Sequence, residues 1–205
     1  MNKIDLKKDL PEYFKANSKD FSVVKLPKCN YLMVDGKGDP NTSPAFEEAV
    51  QLLYGASYTL KFMRKSEFGD DYVVPPLEGL WWAKDMKSFA IGDKSNWSWT
   101  MMIMVPKAIT RAYATKAIKA FALKKPELNC SKLRFESLLE GKSVQILHVG
   151  PYDKEAPVLS RMHNEFMPEK GLKFNGKHHE IYLGDPRRTA LAKLKTILRQ
   201  PVIGM

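Results

Sequence analysis

Cysteine is nearly missing from this chain. Among 205 residues only Cys29 and Cys130 carry a thiol, and neither sits in a Cys-x-x-Cys pair. A disulfide framework is excluded, and a reducing cytoplasm is the expected compartment. Long apolar runs are missing too. None approaches the ~18 residues of a membrane-spanning helix. The opening MNKIDLKKDLPEYFK is charged throughout and has no apolar core, which argues against a signal peptide. There is no glycine-rich phosphate loop, no Walker pattern and no Gly-x-Ser-x-Gly elbow. DGKGDP at 35–40 reads as a turn. Histidine is sparse. His148 and His163 stand alone, and His178 and His179 are neighbours. In a strand, neighbours point to opposite faces and cannot share a metal. The histidines are read as structural or surface residues, and neither a metal nor a cofactor is expected.

Basic charge is in excess, at +10 net. Most of it lies in 107–125 (KAITRAYATKAIKAFALKK) and 187–199 (RRTALAKLKTILR), both with helical apolar spacing. In the first, Ile109, Tyr113, Ala117 and Phe121 form one stripe and the lysines fall mostly elsewhere. That pattern is a solvated helix face. No nucleic-acid-binding motif accompanies it.

The chain describes the same unit twice. YLMVDGKGDPNTSPAFEEAVQLLYGASYTLKF is followed by VVPPLEGLWWA and SWTMMIMVP. VQILHVGPYDKEAPVLSRMHNEFMPEKGLKF is followed by HHEIYLGD and LKTILRQPV. Each half reads as strand, Gly/Pro/Asp turn, helix, strand and a last apolar segment. Ser43 is placed to cap the first helix, with Pro44 at its first position and Glu47 and Glu48 near its positive end. Phe46, Val50, Leu53 and Leu60 form its stripe. Asp153 is the expected cap of the second helix, with Val158, Met162 and Phe166 as its stripe.

The expected fold is α+β. Duplicated strand-helix-strand-strand modules form one antiparallel sheet, with helices on one face and a central ligand cleft on the other. A single domain spans 1–205, with module 1 at about 20–105, a crossover helix at about 107–125 and module 2 at about 133–205. LRFESLLEGKSVQILHVG reads as a hairpin turning at Gly141-Lys142.

Alternation then selects the candidate site. In HHEIYL, Ile181 and Leu183 share one strand face, while Glu180 and Tyr182 share the other. The aliphatic pair is expected against the helices and the polar pair in the cleft. A partly desolvated carboxylate there either pairs with a cationic ligand or acts as general acid or base. PPLEGLWW supplies Glu78, Trp81 and Trp82, and the next strand supplies Trp97 and Trp99. These are the candidate ligand-binding residues, because aromatic walls suit flat or cationic ligands. Trp81 and Trp82 face opposite ways, so at most one lines the cleft, and alternation alone leaves both open.

The duplicated module, the VGPYD turn, and above all HHEIYLGDPRR with its Glu-x-Tyr and Asp-Pro, resemble the gyrase-inhibitor-like (GyrI-like) small-molecule-binding domains. The resemblance covers about 20–205, and PPLEGLWW looks like a stand-alone branch. It implies two modules around a central cleft. In multidrug-sensing regulators of the family, the glutamate matching Glu180 pairs with lipophilic cations in an aromatic cage. Some stand-alone members hydrolyse cyclopropanoid DNA-alkylating compounds, which implies detoxification. About twenty residues precede the first module, fewer than a helix-turn-helix reader needs. The leading expectation is therefore a cytoplasmic detoxifying hydrolase of a flat aromatic compound, with Glu180 and Tyr182 catalytic. The alternatives are a non-catalytic binder of lipophilic or cationic aromatic drugs, and a protein-interaction module of the gyrase-inhibitor type.

Overall fold

The structure, a computed structural model, describes residues 3–83 and 96–204. It is a mixed α+β fold in two compact units. One comprises Met1–Asp9 and Cys29–Leu138, the other Leu10–Lys28 and Leu139–Met205. Among the described residues, no helix is long and apolar enough to cross a membrane.

The first unit contains helix α1 (Leu6–Asp9), strand β2 (Cys29–Lys37), helix α3 (Pro44–Phe68), strands β3 (Leu77–Ala83) and β4 (Trp97–Val105), helix α4 (Arg111–Lys124) and strand β5 (Arg134–Leu138). Its antiparallel sheet runs β3-β4-β2-β5. Helix α3 starts as its sequence suggests, with Ser43 at the N-cap and Pro44 in the first turn, although the Ser43 hydroxyl makes no capping bond. It runs to Phe68 and stops at Gly69, whose φ of 72° suits glycine. Lys61 secures the exit, its Nζ donating to Asp71 at 2.6 Å and to the Tyr72 carbonyl. Ala49, Leu52, Leu53, Ala56 and Leu60 form its buried stripe, with Phe46 and Val50 at the margin. On α4, Thr110 caps through a hydrogen bond from the Tyr113 amide, and Ala114, Ala117 and Phe121 are buried.

Trp99 sets the packing of this sheet. Its indole ring lies on Gly36, directly opposite on β2, where a Cβ would come within 2.0 Å of the ring. Only glycine fits without moving the indole. Gly36→Ala is expected to cost about 1–3 kcal/mol through overpacking. Urea denaturation followed by tryptophan emission measures it, and unchanged stability would mean that the indole does not rest there.

The second unit contains helix α2 (Pro11–Phe14), strands β1 (Ser22–Leu26) and β6 (Gly141–Val149), a 3-10 turn (Tyr152–Lys154) and helix α5 (Ala156–Arg161). The helix continues through a π turn (Met162–Phe166) into α6 (Met167–Glu169). Strands β7 (Leu172–Phe174), β8 (His178–Tyr182) and β9 (Lys195–Gly204) follow. The antiparallel order is β1-β6-β9-β8, and β7 also pairs with β9. Helix α5 has Glu155 at its N-cap; Asp153, the expected cap, falls in the 3-10 turn before it.

Two expectations are corrected. β5 and β6 do not form a hairpin: β5 pairs with β2, and β6 pairs with β1. The turn at Gly141 is real, with a φ of +65°, but a reversal of direction does not choose a partner. Segment 187–199 is not a helix either, because 195–204 is strand β9. β9 lies between β6 and β8, and Thr196–Val202 are buried. An interior strand buried on both faces reads as a continuous apolar run, which imitates a helix in sequence.

Candidate functional site

The face assignment of Glu180 is also corrected. Residues directly opposite in an antiparallel pair share a sheet face. Glu180 stands opposite Leu198, and Leu198 stands opposite Ile146. Leu198 and Ile146 pack with Met162 and Met167 of the helical segment, together with Val144, Leu172 and Val202. Glu180 and Tyr182 therefore lie on the helix-covered face of the second unit, and Ile181 lies on the other.

That other face is not open, since α2 sits on it. Arg199 is fully buried beneath Tyr13, its guanidinium 4.2 Å from the ring centroid and donating to the Tyr13 carbonyl. It also donates to Glu140 at 3.1 Å and to Gln145 at 3.1 and 2.9 Å. His179 Nδ1 lies 2.9 Å from the second Glu140 oxygen. Gln145 completes the set by donating to the carbonyls of Glu12 and Lys15. Burial alone would push the Glu140 carboxyl up, but His179 and Arg199 outweigh it and hold the group at about 2. This buried network ties the N-terminal segment to β6, β8 and β9.

The polar groups around Glu180 converge at the start of α5. Glu180 is 9% exposed. Tyr182 donates to its Oε2 at 2.8 Å. His178 Nε2 lies 3.4 Å from its Oε1. Tyr152, in the VGPYD turn, packs edge-on against Tyr182 with centroids 5.7 Å apart. Burial first, then the charges of Glu155, Glu180 and Asp185, push the Tyr152 phenol up to about 12. It stays protonated at neutral pH and can donate a hydrogen bond. Glu155 is buried at the same helix start. The structure thus brings together Glu180 and Tyr182, both singled out in sequence, and adds Tyr152, Glu155 and His178. Tyr152 was within reach of sequence reading, because it lies in the turn that mirrors DGKGDP. Glu155 and His178 give no local signal.

The aromatic candidates belong to the first unit. Trp81 is paired with Trp99 across β3 and β4, and both lie on the α3 face. Phe46 of α3 stacks on Trp81 with centroids 6.2 Å apart and meets Trp99 edge-on at 5.4 Å. Trp97 meets Trp81 edge-on at 5.7 Å. Trp99 is fully buried and donates to the Gly38 carbonyl, which makes it a core residue. Phe46 and Trp97 retain partial exposure beside Trp81. Trp82 and Glu78 are on the opposite face of β3, where Glu78 is fully buried and Trp82 partly so. Among the described residues, no group of three His, Cys, Asp or Glu side chains could hold a metal ion.

The chain matches the GyrI-like small molecule binding domain over residues 19–202. A conserved Listeria innocua protein of solved structure is 38% identical, with a TM-score of 0.89 over 98% of this chain and 100% of that one. A Listeria innocua protein described as a hydrolase is 37% identical, with a TM-score of 0.87 over the same shares. The C-terminal domain of EcmrR is 14% identical, with a TM-score of 0.58 over 91% of this chain and 98% of that one. The last is a likeness of fold alone. No curated protein matches the chain.

Proposed function

We propose, because this chain belongs to the GyrI-like small-molecule-binding domain family, that it is a detoxifying hydrolase that opens cyclopropanoid compounds with water. The observation that carries the reading is the part-buried pair in which the Tyr182 hydroxyl meets the Glu180 carboxylate at 2.8 Å. Two Listeria innocua relatives described as hydrolases, 37% and 38% identical, support the reaction class.

The chemistry needs few parts. A cyclopropane fused to a dienone is flat and electrophilic. Glu180 takes a proton from water as the water oxygen bonds to a cyclopropane carbon. The strained carbon–carbon bond breaks, and its electron pair moves to the dienone oxygen, giving a phenolate that is then protonated. Tyr182 holds the carboxylate, and the Tyr152 phenol donates to the developing oxyanion. Burial near the helix start limits water, which strengthens both interactions.

Single-turnover ring opening, followed by chromatography of a cyclopropane-fused dienone with excess protein, tests the reaction. Recovery of unchanged dienone would leave a binding protein. Within the first unit, Trp81 is proposed as a stacking surface for flat compounds, because it shares the α3 face with partly exposed Phe46 and Trp97. A flat ligand is expected to quench tryptophan emission. Trp81→Ala should weaken its binding by about 1 kcal/mol or more, roughly fivefold, and Trp82→Ala should leave it unchanged. Loss on Trp82→Ala alone would move the binding surface to the other face of β3.

A further inference from the structure

We infer that His178 is the positioning partner of Glu180: it orients the carboxylate through Oε1 and relieves it of the proton taken from water. This rests on Glu180 being the working carboxylate, as proposed above. The sequence reading gave His178 a structural or surface role, and three observations support another.

First, the two oxygens of Glu180 are divided between two neighbours. Tyr182 holds Oε2, and Oε1 faces His178 Nε2 at 3.4 Å. That separation is beyond an ordinary N–H···O bond, and a small side-chain movement closes it. Second, His178 is 4% exposed, yet neither ring nitrogen makes a hydrogen bond to a described residue. A buried polar atom without a bond is unfavourable, and such atoms concentrate where a group has work to do. Third, the neighbouring ring is kept uncharged. His163, on the π turn, meets His178 edge-on with centroids 6.4 Å apart and Phe174 at 4.9 Å. Burial, then His178, push it down to about 4. His163 therefore does not compete for a proton near neutral pH. π turns inside helices are frequent at working sites, and here the turn is where the helix presents His163 to β8.

Other titratable groups lie near the pair. Tyr182 lies on the same strand, Tyr152 packs on Tyr182 from the turn before α5, Glu155 is at the N-cap of α5, and Asp185 lies in the loop after β8. From β9, neutral Gln200 is held by its bond to the Gly176 carbonyl. In the resting protein, His178 Nε2 stands 3.4 Å from Glu180 Oε1 without a hydrogen bond between them. After attack, the Glu180 carboxyl carries the proton from water. Its O–H bond breaks, an N–H bond forms at His178 Nε2, and an imidazolium–carboxylate pair results. The carboxylate is restored without opening the site.

The test reads the imidazole directly. Side-chain 15N shifts of His178 are followed from pH 4 to 9 in the wild type and in Glu180→Gln. Removal of the carboxylate should lower the His178 midpoint by about one pH unit or more, because an opposite charge within about 4 Å favours the imidazolium. A midpoint that does not move overturns the inference, whether or not the protein turns substrate over. In the ring-opening assay, His178→Leu should lower kcat about tenfold or more, leave KM nearly unchanged and shift the acid limb of the pH profile. His178→Gln, which keeps an N–H donor, should recover part of kcat but not the limb. A turnover that needs Glu180 and ignores both His178 variants also overturns it. A coupled titration in a protein with no turnover supports the pairing and removes the hydrolase reading instead. If the His178 variants fail to fold, the wild-type and Glu180→Gln titrations still decide.

Discussion

Glu180→Gln is expected to lose turnover by about 100-fold or more while still binding a neutral cyclopropanoid. The substitution keeps volume and hydrogen bonding and removes both charge and basicity. The Tyr182 hydroxyl, which donates to Glu180 Oε2, finds an amide oxygen in nearly the same place, so shape and packing change little. What is lost is the acceptor for the proton of the attacking water. Tyr182→Phe should cost less, about 1–3 kcal/mol, the range for one buried hydrogen bond. The measurement is single-turnover ring opening at saturating protein, beside a direct binding titration. If Glu180 only anchors cations, the outcome inverts: Glu180→Gln weakens cationic ligands and spares neutral ones. Full turnover in Glu180→Gln would remove the carboxylate from the chemistry.

Much of the architecture was legible because local signals agreed. Pro44 and Gly141 punctuate the chain where the structure places element ends. The periodic stripes of α3 and α4 hold Leu53, Leu60, Ala117 and Phe121 at buried positions. Long-range choices were not legible. Nothing local to LRFESLLEGKS indicates that β5 pairs with β2 and β6 with β1, since pairing follows from the whole sheet. The site was legible by residue type and not by direction. Glu180 and Tyr182 stood out in a strand, but HHEIY carries polar side chains on both faces: His178, Glu180 and Tyr182 on one, His179 on the other. Apolar contrast, the usual guide to the inner face, is weak there. His179 is buried because Glu140 and Arg199 satisfy that face with charge, and a residue pattern cannot report a buried ion network.

That network carries the largest expected effect on stability. Arg199→Met, close in length and without charge, should destabilise the fold by about 3–5 kcal/mol, because it leaves the Glu140 carboxylate buried with one partner fewer. For a chain of this size that is a fall in Tm of roughly 10 °C. The pH dependence separates charge from packing. Glu140 is held at about 2 in the folded protein against an ordinary value of 4.5, so its contribution is complete above about pH 4.5. It is lost as the pH falls toward 2, because the unfolded chain takes up the proton first. His163, pushed down to about 4 from 6.5 by burial, gives an earlier loss between those values, shared by wild type and variant. In Arg199→Met, burial is opposed by His179 alone and the Glu140 carboxyl rises, so the variant loses less than the wild type over the lower window. Urea denaturation at steps from pH 7 to pH 2.5 should therefore show the wild-type advantage shrinking below about pH 4.5. An advantage that stays constant with pH would mean that Arg199 stabilises through its stacking on Tyr13 and its neutral hydrogen bonds, and that the buried charges of Glu140 and Arg199 contribute nothing net.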